Sequence, residues 1–454
     1  MLKIRFDLKP QDLEKKIGRL FELSAAKIRS IEESWTPALG SPVFTVKGRY
    51  TSMSWTEWTQ GFQFGSAILQ FDATEDREFL NIGYSRTLEL MAPHVTHFGV
   101  HDHGFNNIST YGNLLRLMDE GRVADQKERR LCELALKCSG AVQAFRWTNI
   151  EEGGGYIYSF NGPHSLFIDT IRSLRSLAVA HRLGHVVLGE GDRKISLLGR
   201  LISHINATAR YNIYYGERRD IWDIRGRVAQ ESIFNTNDGQ YRCPSTQQGY
   251  SPFTTWTRGH AWGICGFAEQ LEFIDSVSDE DLAPHGGRDA IQQVVRRAAE
   301  AAADYYIEST PSDGVPYWDT GALGLDKLPG WADRPADPFN PYEPVDSSAA
   351  AIAAQGLLRL GKHLKNDRYW QAGLTVCHTL LEEPWLSVNP EHQGLLLHSV
   401  YHRPKGWDFT PKGNGVTYGE SSMWGDYHVR EVSLYLLRII NQRPYLRFWS
   451  DSSD

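Results

Sequence analysis

The chain has 454 residues, of which 41% are hydrophobic and 23% are charged, a balance typical of globular proteins with a sizeable core. The net charge of -7 argues against a general affinity for nucleic acid, and no apolar run approaches the length of a membrane span. The 14 tryptophans are the outlier in composition, and they favour a cleft lined with aromatic rings.

The five cysteines (Cys132, Cys138, Cys243, Cys265 and Cys377) are scattered, odd in number and without metal-type spacing, which fits a reducing compartment. The first ten residues lack the apolar core of a signal peptide. We therefore expect a soluble cytoplasmic protein with neither a nucleic-acid nor a membrane partner. The oligomeric state stays open.

Apolar residues recur at three- and four-residue spacing along the chain, which predicts about twelve helices. In chain order they cover residues 13–33, 59–71, 77–91, 106–118, 126–145, 165–181, 193–211, 257–274, 290–306, 347–360, 367–381 and 422–439. No comparable series of alternating strands occurs, although short extended pieces are expected near 155–160 and 394–401. The Pro- and Gly-rich segments 330–344 and 403–415 read as long loops, which in compact domains are often binding loops.

Twelve helices of moderate length suggest six helical hairpins, and the economical closed arrangement is an inner and an outer ring. The sequence therefore predicts an all-α fold, an (α/α)6 barrel, with residues 1–454 forming one domain. A superhelical solenoid is the rival arrangement, but no repeat of fixed period appears. In such a barrel the ends of the inner helices would line a central cleft.

Two segments rich in tryptophan favour a sugar-binding cleft. The motif W-T-Q-G-F begins at Trp58, and W-T-R-G-H-A-W-G contains Trp256, Arg258 and Trp262. Indole faces pack against the C–H faces of sugar rings, and Arg pairs with carboxylates in a forked geometry. The alternatives are that the indoles only fill the core and that Arg258 forms a surface ion pair.

Two acidic residues are candidates for acid–base catalysis. Asp102 lies between His101 and His103, and consecutive residues rarely converge on one metal ion, so general acid–base chemistry is the better interpretation. The alternative is that Asp102 caps a helix that begins near Asn106. Asp169 lies in the apolar run L-F-I-D-T-I-R-S-L, where desolvation would raise its pKa. Its alternative is an ion pair with Arg172 or Arg175.

These motifs, together with V-P-Y-W-D, D-S-S-A-A-A-I and M-W-G-D-Y, resemble those of the unsaturated glucuronyl hydrolases, glycoside hydrolase family 88, and their relatives in family 105. The resemblance extends from about residue 55 to about residue 437. It implies an (α/α)6 barrel that acts on oligosaccharides with a 4,5-unsaturated uronic acid at the non-reducing end. In that reaction an Asp protonates C4, water adds at C5, and the resulting hemiketal opens with loss of the glycosidic bond.

The resemblance also implies roles for individual residues. Asp169 matches the principal acid–base residue and Asp102 the second, supporting carboxylate, with no metal and no organic cofactor. The expected substrate-binding residues are Trp58, Trp256 and Trp262 as ring-stacking positions, Arg258 as a polar contact, Gln248 near the uronate, His101 beside Asp102, and Asn212 at a family histidine position.

The sequence departs from the family pattern at Gln247, Asn212, His260 and His103, and segment 217–241 looks like an insertion that could serve as a lid or a subunit contact. These departures leave the parent polysaccharide, the linkage and the sulfation open. Three rival functions remain: a saturated-uronate hydrolase, a non-catalytic sugar-binding relative, and a sugar epimerase or isomerase. The epimerase would use paired histidines drawn from His101, His103, His164 and His260.

Overall fold

The computed structural model describes residues 1–54, 57–151 and 153–449, and the periodic segments within them form helices. Two inner helices are each built from successive pieces. The twelve main helices of this part of the chain are α1 (Glu14–Ser34), α2 (Gln60–Thr74), α3 (Arg77–Leu90), α4 (His103–Asn107 continuing through a π turn, Ile108–Gly112, into Asn113–Asp119), α5 (Gln126–Phe145), α6 (Thr170–Ser173 and Arg175–Arg182), α7 (Leu197–Tyr211), α8 (Thr257–Asp275), α9 (Arg288–Ser309), α10 (Ser347–Leu364), α11 (Asp367–Leu380) and α12 (Met423–Ile440).

Odd-numbered and even-numbered helices differ in how much of their surface is buried. In α1 the buried positions, such as Ile17, Leu20, Ile28 and Ile31, follow helical spacing along one face. In α8 every residue from 257 to 274 is buried. A helix that is buried all round must be surrounded by other elements, so the even-numbered helices form an inner layer and the odd-numbered helices an outer layer.

The inner helices form a closed ring, since α2 packs on α4, α4 on α6, α6 on α8, α8 on α10, α10 on α12, and α12 on α2. Because inner and outer helices alternate along the chain, all six inner helices run in the same direction. Their N-terminal ends meet at one end of the barrel. The prediction of an all-α (α/α)6 barrel is confirmed. None of the helices described is long and apolar enough to cross a membrane.

Most of the short strands lie in connections that lead into inner helices, at the N-terminal end of the inner ring, whereas β6 and β7 follow α6 at the opposite end. The described residues contain β1 (Phe44–Val46), β2 (Arg49–Thr51), β3 (Trp147–Asn149), β4 (Gly155–Ile157), β5 (Ser165–Phe167), β6 (Val187–Leu188), β7 (Lys194–Ile195), β8 (Glu231–Phe234) and β9 (Tyr241–Ser245). The strands β5, β8 and β9 form an antiparallel sheet in that order. Strand β4 matches part of the extended piece expected near 155–160. The piece expected near 394–401 forms only isolated bridges, such as Leu397 with Ser421.

The helix predicted over 165–181 is wrong at its start. Residues 165–167 form β5, whose Phe167 pairs with Glu231 of β8, and the backbone N–H of Ile168 continues the pairing to the Gln230 carbonyl at 3.0 Å. Pairing with a distant strand thus overrides the local helical pattern. As a result Asp169 does not lie inside a helix; it is the N-cap residue of α6.

A cluster of buried charges ties three inner helices together. Arg172 of α6 donates to Glu269 of α8 at 3.1 Å and to Glu431 of α12 at 2.7 Å. Arg175 lies 3.7 Å from Glu269 and 3.5 Å from Glu431. Burial raises the pKa values of both glutamates, but the arginine charges outweigh it and hold them below the ordinary value. The alternative interpretation of Asp169, an ion pair with Arg172 or Arg175, is therefore wrong, because both guanidinium groups face glutamates.

We expect Glu431→Gln to destabilise the fold by about 3–5 kcal/mol, because it leaves two buried guanidinium groups with too little negative charge. The measurement is the midpoint of denaturant-induced unfolding. The matched control is Glu300→Gln, which removes the i,i+4 pair with Arg296 on α9 and should cost less than about 0.5 kcal/mol. Equal midpoints for the two variants would contradict the assignment of a stabilising role to the cluster.

Candidate active site

A cavity of about 600 Å³ opens where the N-terminal ends of the inner helices meet. Aromatic rings contribute seven of the eighteen lining residues, and titratable side chains are grouped at two places within the cavity. Its lining residues are Glu57, Trp58, Val100, His101, Asp102, Phe105, Phe160, Asn161, Asp169, Gln247, Gln248, Trp256, Arg258, Trp262, Tyr401, His402, Lys405 and Trp407. Eight of the nine predicted site residues are in this set, and Asn212 is not.

A second cavity, of about 690 Å³, lies at the opposite end of the barrel, where inner helices finish. Two of its arginines, Arg116 and Arg438, both bond to Asp72 and Glu120. These ion pairs, together with the charges of neighbouring arginines, lower the pKa of Asp72 to about 2, against the effect of burial. We interpret this second cavity as a structural ionic cluster, so the aromatic-lined cavity is the candidate active site.

His101 joins the two candidate carboxylates. Its Nε2 lies 3.0 Å from Asp169 Oδ1 and 4.0 Å from Asp102 Oδ1. Asp102 and Asp169 are each the N-cap residue of an inner helix, yet neither side chain caps its helix. The expected alternative, that Asp102 acts as a side-chain cap, is therefore wrong. Both carboxylates are directed to the histidine and the cavity.

His101, Asp102 and Asp169 are buried close together, so their charges influence one another. Burial alone would lower the pKa of His101, but the charges of Asp102 and Asp169 and the hydrogen bond with Asp169 outweigh it, so the pKa is raised. Burial raises the pKa of Asp102, the His101 charge opposes this, and the Asp169 charge adds to it. His101 and Asp102 therefore each keep a proton to higher pH than isolated side chains of the same type would.

The backbone around His101 is fixed by close packing against α6. The His101 carbonyl accepts hydrogen bonds from Gln143 Nε2 at 2.8 Å and from Ser173 Oγ at 2.6 Å, and Ser173 Oγ also accepts the Gly104 N–H. A Cβ atom on Gly104 would lie 2.1 Å from the Ser173 carbonyl oxygen, so only glycine fits at this position. This contact explains why glycine follows the H-D-H triplet.

The predicted indoles, Trp58, Trp256 and Trp262, all line the cavity. Trp58 is half-buried, stacks on Trp424 with ring centroids 5.1 Å apart, and donates from Nε1 to the Tyr401 hydroxyl at 3.3 Å. Trp262, in the inner helix α8, packs against Phe105 at 4.7 Å. These contacts hold the ring faces at fixed angles, which suits stacking against a sugar ring.

Arg258, predicted as a polar substrate contact, lines the cavity, and its pairing with Asp346 is buried, so the alternative of a surface ion pair is wrong. It is 1% exposed, and its Nη1 bonds to Asp346, 3.2 Å away, and to the Val400 carbonyl. Its Nη2 donates to Gln248 Oε1 at 2.9 Å and to the Tyr401 carbonyl at 2.7 Å. Arg258 thus holds two segments of the wall, and the amide nitrogen of Gln248 is left as the end that can donate to a bound group.

Asn212 does not reach the cavity, which corrects the expectation of a substrate contact. It is fully buried at the end of α7, where its Nδ2 donates to the Ala229 carbonyl at 3.0 Å. His260 and His103 also point elsewhere, to the carbonyls of Ala302 and His97. Of the four histidines considered for an epimerase, only His101 lines the cavity.

Sequence reasoning missed several lining residues in the segments 160–161 and 401–407. Neither ring nitrogen of His402 has a hydrogen-bond partner in the described structure, and burial lowers its pKa to about 4. Trp407 packs on His402 at 4.7 Å, and the Lys405 ammonium lies 4.9 Å from the Trp407 ring centroid. The only signal in the sequence was the long Pro- and Gly-rich loop over 403–415, which contains two of these residues.

Comparison with known proteins places this cavity in context. No protein-family model matches the sequence. The chain is 24% identical to an unsaturated chondroitin disaccharide hydrolase of Streptococcus agalactiae, over 88% of this chain and 85% of that protein. It is also 24% identical to an unsaturated glucuronyl hydrolase of a Bacillus species, over 86% and 89% of the two chains.

Solved structures show the same architecture. An unsaturated glucuronyl hydrolase specific for heparin superposes with a TM-score of 0.71 at 18% identity, covering 94% of this chain and 98% of that one. The enzyme from the Bacillus species superposes with a TM-score of 0.70 at 21% identity, covering 97% and 100%. These comparisons confirm the resemblance of this chain to the unsaturated glucuronyl hydrolases over most of its length, together with the (α/α)6 barrel.

Proposed function

We propose that the protein is a glycoside hydrolase that removes a 4,5-unsaturated uronic acid from the non-reducing end of lyase-generated oligosaccharides. The observation that carries the proposal is the pair of buried carboxylates, Asp102 and Asp169, both within 4.0 Å of one His101 nitrogen. They lie in a cavity walled by indoles and other aromatic rings. The similarity to hydrolases of unsaturated disaccharides supports the same chemistry.

In the proposed reaction Asp169 donates a proton to C4 of the enol ether, and positive charge develops at C5. Asp102 accepts a proton from a water molecule as its oxygen bonds to C5, which yields a hemiketal. The hemiketal opens to a ketone, the C1–O bond breaks, and the shortened saccharide leaves. His101 keeps the Asp169 carboxyl in place through its 3.0 Å contact. It also lies between the two carboxylates, so the proton that Asp102 takes from water can return to Asp169 for the next cycle.

The acidic sugar would bind between the aromatic walls and the donor groups of the cavity. Trp58, Trp256 and Trp262 are proposed to stack on sugar rings, and Gln248 donates its amide N–H groups to the uronate carboxylate. Lys405 adds positive charge at the rim, which favours an anionic ligand.

Proton transfer and positioning are sufficient for this chemistry, so we expect no metal or organic cofactor. Since the cysteines are scattered and odd in number, we also propose a cytoplasmic location.

The test is a panel of unsaturated disaccharides prepared with polysaccharide lyases from different parent polysaccharides. The purified protein should remove the ultraviolet absorbance of the conjugated double bond from at least one member, because hydration destroys the conjugation. Sugar binding without decay of absorbance on any member would contradict the proposal and favour a sugar-binding relative. If no absorbance decays but the protein cleaves a saturated uronate, a saturated-uronate hydrolase is favoured. If it instead converts a sugar into its epimer or isomer, the epimerase or isomerase is favoured.

Asp169→Asn should reduce kcat by about 10²–10⁴-fold, because the amide keeps the shape of the carboxyl but has no proton of comparable acidity. Steady-state kinetics on the best disaccharide provide the measurement, with ligand binding as a check on the fold. Asp238→Asn, a change on the surface of the barrel, is the matched control and should leave kcat unchanged. If Asp169→Asn retained more than about a tenth of the wild-type rate, Asp169 would not be the proton donor.

The pKa of His101 should fall in Asp102→Asn. The negative charge of Asp102 stabilises the imidazolium, so its removal disfavours the protonated form and moves the titration to lower pH. The measurement is the NMR titration of the His101 ring protons, compared with the wild type, where the pKa should lie above the ordinary 6.5. An unchanged or higher pKa in the variant would show that the two groups are not electrostatically coupled.

A further inference from the structure

Gln230 lies just before β8 and holds the cavity loop 246–248 through one oxygen atom. It is 3% exposed, and its Oε1 accepts hydrogen bonds from Thr246 Oγ1 at 2.5 Å and from the backbone N–H groups of Gln247 and Gln248, each at 2.9 Å. Three donors from consecutive residues converge on this atom. The path of the loop is therefore determined by a side chain that does not itself line the cavity.

The backbone of the same residue supports the proposed acid. The Gln230 carbonyl accepts the N–H of Ile168 at 3.0 Å, and Asp169 is the next residue. Asn212 donates to the carbonyl of Ala229, immediately before Gln230. Gln230 thus connects the segment that carries Asp169, through its backbone, with the loop that carries Gln248, through its side chain.

Glu231 supports the same loop from its other side. Its Oε1 accepts a hydrogen bond from Asn161 Nδ2 at 3.0 Å, and Asn161 Oδ1 accepts one from Gln247 Nε2, also at 3.0 Å. Glu231 is 3% exposed and sits in β8, the central strand of its sheet. The loop is therefore held at its backbone by Gln230, and at the Gln247 side chain by Asn161, which Glu231 holds in turn.

We propose that Gln230 and Glu231 are positioning residues, which set the cavity loop 246–248 so that Gln248 meets both Arg258 and the acidic sugar. This inference rests on the proposed function. It also assigns a role to segment 217–241: Gln230 and Glu231, near its end, support the cavity wall without lining the cavity. Because the Asp169 segment is held by the backbone of Gln230, a change of the Gln230 side chain leaves the proton donor in place. Loss of the Gln230 side-chain contacts should therefore weaken substrate binding while the rate of the chemical step changes little.

The kinetic test is Gln230→Met, which keeps the length of the side chain and removes the acceptor. We expect KM to rise by about tenfold while kcat stays within about twofold of the wild type, because binding contacts are lost and the acid is retained. Gln230→Glu keeps an acceptor oxygen at the same place, so its KM should stay close to that of the wild type. Gln70→Met, at a buried glutamine of α2 that bonds to the Phe21 carbonyl, is the matched control and should change neither parameter.

Hydrogen exchange of the backbone amides gives a readout that needs no substrate. In Gln230→Met the amides of Gln247 and Gln248 should exchange faster, while the amide of Ile168 keeps its protection because its acceptor is a backbone carbonyl. Unchanged exchange at 247 and 248, or a fall in kcat as large as the rise in KM, would overturn the inference. If the wild type acts on no disaccharide of the panel, the proposed function fails, and the exchange rates still decide whether Gln230 positions the loop.

Discussion

The buried contact of Arg172 and Arg175 with Glu269 and Glu431 is the interaction on which the rest of the architecture depends. Charges inside a barrel are tolerated only when opposite charges meet them closely, so α6, α8 and α12 must keep one mutual register. Trp262, in the floor of the cavity, lies over the Arg172 guanidinium at 5.6 Å. The ionic cluster therefore fixes the position of Trp262 at the base of the site.

The direction of the inner helices explains where the site lies. Since all six run the same way, their first residues come together at one end, and Asp102, Asp169, Trp256 and Asp346 are all N-cap residues. The positive ends of helix dipoles stabilise carboxylates there, whereas burial disfavours their charge. For Asp102 the net result is a raised pKa, which suits a group that exchanges protons with water.

Beside this ring the sheet β5–β8–β9 acts as a second support. It places the strand before Asp169 next to Gln230 and Glu231, and through them it holds the loops around Asn161 and Gln248. Arg258 lines the cavity and bonds to the 400–401 backbone, so this cation also ties the loops of the wall together. Rigid supports of this kind keep binding groups in place without using the substrate to order them.

The sequence by itself determined the twelve helices, their closed double ring and the identity of the carboxylates and most of the indoles at the site. These features are encoded locally, in three- and four-residue periodicity and in short motifs, so no knowledge of distant contacts is needed. Only the tertiary structure decided what the polar groups bond to. Arg258 meets Val400 across 142 positions, Arg172 meets Glu431 across 259, and Ser165–Phe167 became a strand because β8 pairs with it. Such partners lie far apart along the chain, where local patterns carry no information about which groups will meet.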